Sequence, residues 1–230
     1  MRTALRTESW ATPRLDLGGC VLYVPLWHPT LGSQVSGSTF QSKDKIGHIC
    51  TVTGALWTPQ GRTFDGFDDS IEVSDTPSLD IIDAITIGGW VKPGLANTEQ
   101  YWIAKGDRGI AINYVASITA TNYFAFEFYT TPTWYTNADD TTPLVVGTWY
   151  HLVATYDKVN VKLYIQGVLA KTIPRTPVLT ANALSLFIGR EGSAGGTFFT
   201  GTQGEVLAYN RALFALEIQR NYLATKWRYS

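Results

Sequence analysis

The densest group of hard oxygen donors in the chain is Asp65, Asp68 and Asp69, in the run Phe64-Asp65-Gly66-Phe67-Asp68-Asp69. Carboxylates at this spacing could hold Ca²⁺, and Glu205 would join them if its strand lies alongside. Ca²⁺ takes about 6–8 oxygens. Only three or four carboxylates are in view, so a turn whose Asp side chains accept local backbone N–H groups is the preferred reading. Nothing else in the chain requires a cofactor. The second lead is aromatic. Tyr129, Trp134, Tyr135 and Asn137 fall in the polar stretch 129–140, and Tyr101 and Trp102 follow the loop Asn97-Thr98-Glu99-Gln100. An aromatic face stacks on a sugar ring while nearby polar groups bond its hydroxyls, the usual mix of apolar platform and a few convergent donors and acceptors. The same residues would also serve the edge packing of a sheet, or a protein interface, where Trp and Tyr are enriched. Trp90 and Trp149 lie in core-like strands and are assigned to the core.

Catalytic patterns are not evident. Glycoside hydrolysis needs two carboxylates about 5–9.5 Å apart, which on a strand means same-face spacing. Glu72 and Asp75 straddle opposite faces, and Glu127 stands alone among Phe124, Phe126 and Phe128. The chain has no Gly-x-Ser-x-Gly elbow, Cys-x-x-Cys pair, His-Glu-x-x-His helix or Walker loop. His28, His48 and His151 are isolated. The expectation is a protein that binds or assembles and is not an enzyme.

The elements that would position these residues read as strands. At Val161-Lys162-Leu163-Tyr164-Ile165 the apolar residues alternate with Lys and Tyr, a period of two. Comparable runs lie at 20–27, 48–53, 70–74, 84–92, 101–104, 109–114, 123–129, 148–156, 160–166, 168–173, 184–189 and 204–209. Gln166-Gly167 between two of them fits a type I′ hairpin. Many short strands with regular turn signals mean a sandwich or barrel. One helix is expected near the end, with Phe214, Ile218 and Tyr222 on one stripe and Leu216, Leu223 and Trp227 on another. Residues 1–19 are polar and unpatterned and read as an N-terminal arm; residues 20–230 read as one domain. Cys20 and Cys50 sit in apolar runs and are preferred as free buried thiols.

A net charge of −1 with no basic stripe argues against a nucleic-acid partner. Charged residues make up 16% of the chain, against roughly 25–35% on a typical soluble surface, which points to a larger assembly or a ligand-covered face. No run approaches the about 18 apolar residues of a membrane span, and no apolar stretch follows the basic opening Met1–Glu8, so no secretory leader is expected.

The ordered set of motifs resembles the concanavalin A-like lectin and glucanase superfamily, in its laminin G-like branch. The runs that carry the resemblance are Asp44-Lys45-Ile46-Gly47-His48 with Thr51-Val52-Thr53-Gly54-Ala55, then Phe64 to Val73, and Ile85 to Pro93. They continue with Trp149 to Asp157, Leu163 to Gly167, Phe187 to Arg190 and Gly204 to Leu213. The resemblance implies an all-β, two-sheet antiparallel jelly-roll and a carbohydrate-binding or adhesion module whose partner is a glycan or cell-surface polysaccharide. Two departures stand out. The hairpin has Gln166 where the family usually has Asn, and the helix start has Phe214 where the family has a Ser cap and Leu216 where it has an acid. Phe214 and Leu216 are therefore expected to be covered by the arm or by another subunit. The alternative function is a structural subunit, either of a virion (a decoration or tail-appendage protein) or of an extracellular surface assembly, with self-association helped by the arm. A virion surface or extracellular assembly is favoured over a cytoplasmic role.

Overall fold

The structure, a computed structural model, describes residues 15–31, 36–108, 111–192 and 196–230. The described chain forms β1 (Cys20–Val24), β2 (Thr39–Gln41), β3 (Ile49–Thr53), β4 (Leu56–Thr58), β5 (Gly61–Asp65), β6 (Ser70–Val73), β7 (Ile85–Pro93) and β8 (Gln100–Asp107). It continues through β9 (Ala111–Ile118), β10 (Phe124–Thr130), β11 (Thr133–Ala138), β12 (Tyr150–Tyr156), β13 (Asn160–Ile165), β14 (Val168–Pro174), β15 (Leu186–Ile188) and β16 (Thr200–Tyr209), and then α1 (Ala215–Thr225).

The strands make two antiparallel sheets. The first runs β14-β13-β12-β7-β16-β5-β4, with β1 also on β16. The ten-residue β16 pairs with β7 along one edge and shares the other between β5 and β1. The second sheet runs β11-β10-β9-β8-β15-β6-β3-β2. Alternation along each strand sends one set of side chains into the space between the sheets. Val52, Ile71, Ile103, Phe126 and Ile188 from one sheet pack there with Phe64, Ile87, Leu152, Leu163 and Val206 from the other. The expected all-β sandwich is the fold.

The first sheet also buries part of its outer face. Val153, Tyr164, Leu207 and Tyr209 pack against Leu213 and Ile218. Helix α1 lies on this patch with Ile218, Asn221 and Thr225 buried. The second stripe of the helix, Leu216, Leu223 and Trp227, faces solvent. No side chain caps the helix start, but the Glu217 carboxylate accepts the Phe214 backbone N–H at 2.7 Å and pairs with Arg211 at 2.8 Å. Glu217 thus supplies half of a capping box from the helix side.

The end of the expected arm belongs to the domain. Asp16 donates its N–H to Asn221 Oδ1 at 2.8 Å and its carbonyl accepts the Tyr209 hydroxyl at 2.6 Å, while Arg211 Nε donates to the Gly18 carbonyl. Residues 1–14 lie outside the described residues. Cys20 and Cys50 are free thiols, and burial, with Asp44 nearby, pushes each up to about 12.

One departure from the sequence expectation and one agreement with it concern turns. The stretch 129–140 is not a loop: Tyr129 to Thr130 close β10, Thr133 to Ala138 form β11, and they pair directly as a hairpin. At the other hairpin Gln166 and Gly167 both have positive φ, 53° and 76°, as type I′ requires. Gln166 also does what a shorter Asn could not reach to do. Its amide donates to the Trp149 carbonyl at 3.0 Å and accepts the His151 N–H at 3.1 Å, tying the turn to the start of β12.

Candidate functional site

Alternation within the β10–β11 hairpin sorts the expected ligand residues onto two faces. Tyr135 and Asn137 point between the sheets. Tyr135 stacks on Phe128 at 5.2 Å, and Asn137 is buried with its amide on the Phe126 carbonyl. Trp102 is likewise buried in the inter-sheet core beside Phe124. The period of two turns all three inward: Trp102 and Asn137 are closed off from solvent, while Tyr135 keeps partial exposure on the edge strand β11. Tyr101, Tyr129 and Trp134 converge on the outer face of the second sheet, with Ala104, Ile112 and Val115. Tyr101 is wholly buried there, while Tyr129 and Trp134 are half-buried.

Glu127 organises this patch. A row of register partners crosses the outer face from Glu72 through Phe187, Ala104, Val115 and Glu127 to Thr136. Glu127 is 1% exposed. It accepts the Ser117 hydroxyl on one oxygen, and the Trp134 indole N–H at 2.8 Å and the Thr136 hydroxyl at 3.0 Å on the other. A buried charge needs such donors, and here they also fix the Trp134 ring. Arg108 completes the site. Its guanidinium lies 5.2 Å from the Trp134 ring centre and 5.7 Å from that of Tyr101, and pairs with Glu99 at 2.8 Å. Burial pushes the Tyr101 hydroxyl well above its usual range, and the negative Glu127 and Glu99 add to this. Among the described residues that hydroxyl has no hydrogen-bond partner. Arg108 and Glu99 stay 43% and 38% exposed, so the patch offers an aromatic ring with a charged donor and acceptor beside it. The sequence named the aromatics but left Glu127 unassigned. Its place among alternating Phe residues was the available signal, since a carboxylate opposite an apolar face must find donors on the other.

Of the four acidic residues, three come together and one does not. Asp65, Asp68 and Asp69 bring one oxygen each within 4.8 Å of the others. However, Asp65 Oδ1 accepts the N–H groups of Phe67 and Asp68, and Asp69 Oδ2 accepts that of Asp65. These are the bonds of a turn, and the three carboxylates supply only part of the 6–8 oxygens that Ca²⁺ takes. Glu205 is elsewhere, a correction to the expected set. Asp65 pairs with Thr200, and Glu205 lies five residues further along β16, about 16 Å away at the strand rise. It is buried under Tyr23 and Trp27, which donate to it at 3.4 and 3.3 Å, and burial raises its pKa.

A second aromatic group went unrecognised in the sequence. On the outer face of the first sheet Trp90 stacks on Tyr229 at 4.5 Å and on Tyr222 at 5.7 Å, and Trp149 lies 4.7 Å from Tyr229. Trp90 is buried, but against the helix and the C-terminal segment, not between the sheets. The Trp90 indole donates to Thr225 at 2.7 Å.

Two packed antiparallel sheets with an aromatic and charged patch on an outer face define a lectin-like β-sandwich domain. Residues 64–219 match the family model for the concanavalin A-like lectin/glucanases superfamily, and the chain belongs to that superfamily. No curated protein matches it in sequence. Among solved structures it is similar to Trypanosoma rangeli sialidase, with a TM-score of 0.69 and 17% identity over 93% of this chain and 34% of that one. It thus spans about a third of the sialidase. It is also similar to domain 4 of AbnA, a GH43 extracellular arabinanase from Geobacillus stearothermophilus, in complex with arabinotriose (TM-score 0.62, 20% identity, 90% of this chain and 98% of that one). A third is the binding domain of Paraclostridial Mosquitocidal Protein 1 (TM-score 0.65, 14% identity, 89% and 52%). At these identities the likeness is one of fold.

Proposed function

We propose that this domain is a non-catalytic carbohydrate-binding module whose glycan lies on the outer face of the second sheet, against Trp134. The observation that carries the reading is the fixed Trp134 ring, held by Glu127 and flanked by the exposed Arg108–Glu99 pair. A pre-positioned ring loses little freedom on binding, and Arg108 and Glu99 can serve sugar hydroxyls at its rim. The Glu127 carboxylate is occupied by three donors, which suits a scaffold better than a group that must pass a proton. The full-length likeness to an arabinanase domain solved with arabinotriose supports the same class of ligand. The test is a broad glycan array, followed by calorimetry on the hits with Trp134→Ala and Arg108→Ala. Loss of at least about 2 kcal/mol, some thirtyfold, is expected for Trp134→Ala, the scale of an aromatic hot spot. Absence of any glycan hit, or binding that survives both variants, would overturn the proposal.

A second reading rests on the helix corner. Phe214 and Leu216 are 76% and 67% exposed, which supports a structural subunit of a virion or extracellular surface assembly that meets its neighbour there. A binding domain mounted in such an assembly satisfies both readings.

A further inference from the structure

The surroundings of Trp134 carry more negative charge than positive. Glu127 sits at the edge of the ring, with the indole N–H on its carboxylate at 2.8 Å. Its other partners, Ser117 and Thr136, are neutral hydroxyls, so its charge is hydrogen-bonded but not cancelled. Glu191 is 4% exposed and accepts the Arg108 backbone N–H at 3.1 Å. Glu99 pairs with the Arg108 guanidinium at 2.8 Å. The Tyr101 hydroxyl beside them is raised first by burial, then by Glu127, Glu99 and Glu191, while Arg108 opposes the rise. Three carboxylates thus share one guanidinium. The next charges along the chain, Asp107 and Arg190, offset each other in this balance. Arg190 is also drawn aside, 5.1 and 4.9 Å from the ring centres of Phe187 and Phe198 and bonded to the carbonyls of Glu191 and Gly192. Residues 109–110 and 193–195, outside the described residues, have no ionisable side chain.

An uncharged sugar meets this field at no electrostatic cost, and a sugar acid does not. The cation open to its carboxylate is Arg108, and Glu99 already holds it. Both side chains of that pair keep some exposure, 43% and 38%, so a ligand can reach them. To bind Arg108, however, the acid must push Glu99 off. Glu99 then stands unpaired beside a second carboxylate, with Glu127 close by, and like charges at short range repel. Selectivity of this kind comes from repelling the wrong ligand as much as from holding the right one. We propose, on the reading that Trp134 is a glycan platform, that the site takes glycans without acidic groups and refuses acidic ones, and that Glu99 is the residue that sets this choice.

The test is an array printed with neutral oligosaccharides beside glycans bearing uronic or sialic acids, probed with the full chain. Only spots lost in Trp134→Ala count. One neutral hit and the same glycan oxidised at a primary alcohol to the carboxylate are then compared by calorimetry. In the wild type the acid should bind at least about tenfold more weakly, the scale of one repelled charge at a partly screened distance. In Glu99→Gln, which removes a negative charge and releases Arg108, that ratio should fall about tenfold. Glu99→Asp keeps the charge and should keep the refusal. Each ratio compares two ligands on one protein, so a general weakening of the site cancels. Acidic glycans bound through Trp134 as tightly as neutral ones, or an unchanged ratio in Glu99→Gln, would overturn the proposal and leave the carbohydrate reading standing. An array with no Trp134-dependent spot in either protein would overturn both.

Discussion

Acid should loosen the seating of α1 on the first sheet, and His151 sets where that happens. His151 is buried in β12, with its ring 5.3 Å from Trp90 and 5.8 Å from Tyr222, and its Nδ1 has no hydrogen-bond partner among the described residues. Burial in this aromatic wedge lowers its pKa to about 3, against about 6.5 in an open chain. Between those values the unfolded chain binds a proton that the folded chain refuses, so stability rises with pH. The contribution is complete above about pH 6.5 and is lost progressively as the pH falls toward 3. At about 1.4 kcal/mol per pKa unit, the loss from pH 7 to pH 5 is about 2 kcal/mol. Glu205 works in the opposite sense. Burial raises its carboxyl, so its contribution is present below its unfolded pKa and fades as the pH rises. The raw slope therefore mixes two groups, and the informative quantity is the difference between the wild type and His151→Phe. A phenyl ring fills the same wedge and cannot titrate. Urea unfolding followed by tryptophan fluorescence across about pH 5 to 8 should show the wild type losing about 2 kcal/mol relative to the variant. Parallel curves for the two proteins would refute the assignment of a neutral buried imidazole.

Three further outcomes follow from the packing. Lys105 is buried with its ammonium on Asp75 at 2.7 Å, Asp80 at 3.2 Å and the Asn182 carbonyl at 2.8 Å, tying β8 to two loops. Lys105→Met strands the carboxylates, and because these keep some solvent the cost should lie near the lower end of the range for broken buried pairs, about 3 kcal/mol; an unchanged melting temperature would argue against a structural role. Gly204→Ala places a Cβ within 2.3–2.5 Å of the Tyr229 ring, so Tyr229 must leave its stack on Trp90, at about 1–3 kcal/mol. The tryptophan emission should shift red, and an unshifted spectrum would mean the stack gives way elsewhere. Phe214→Ser with Leu216→Glu should leave the fold intact, since both side chains are exposed, and should reduce any self-association seen in sedimentation; an oligomer of unchanged size would rule out the helix corner as its contact.

The sandwich was legible because its signals are local. The alternation in β13, the Gln166-Gly167 turn and the i, i+4 stripe of α1 each need only a few neighbouring residues. The short strands β2, β4, β5 and β11 were not legible. The hairpin 124–138 shows why: Thr, Asn and Tyr outside a hydrophobic run look like a loop until the register with β10 is known. The same blindness mixed the ligand residues. Tyr135 and Asn137 share a run with Trp134 and Thr136, and only their pairing with Phe128 and Phe126 shows that they face inward.

The two aromatic groups on the outer faces differ in how far their partners lie apart in the chain, and that distance governs what a sequence can reveal. Trp134 and Glu127 are seven residues apart and joined by one hairpin. The second group brings Trp149, just before β12, against Tyr229, eighty residues later, after the helix has crossed the sheet. Trp90 in β7 and Trp149 just before β12 both fall in runs that read as core, and Trp90 is indeed buried. A strand carries two faces, however, and the outer face of the first sheet is covered only where α1 lies on it. Beyond the last turn of the helix the cover ends. There the same stacking that seals Trp90 leaves Trp149 half-exposed and Trp227 largely so, and a core-type cluster passes without a break into an exposed aromatic surface.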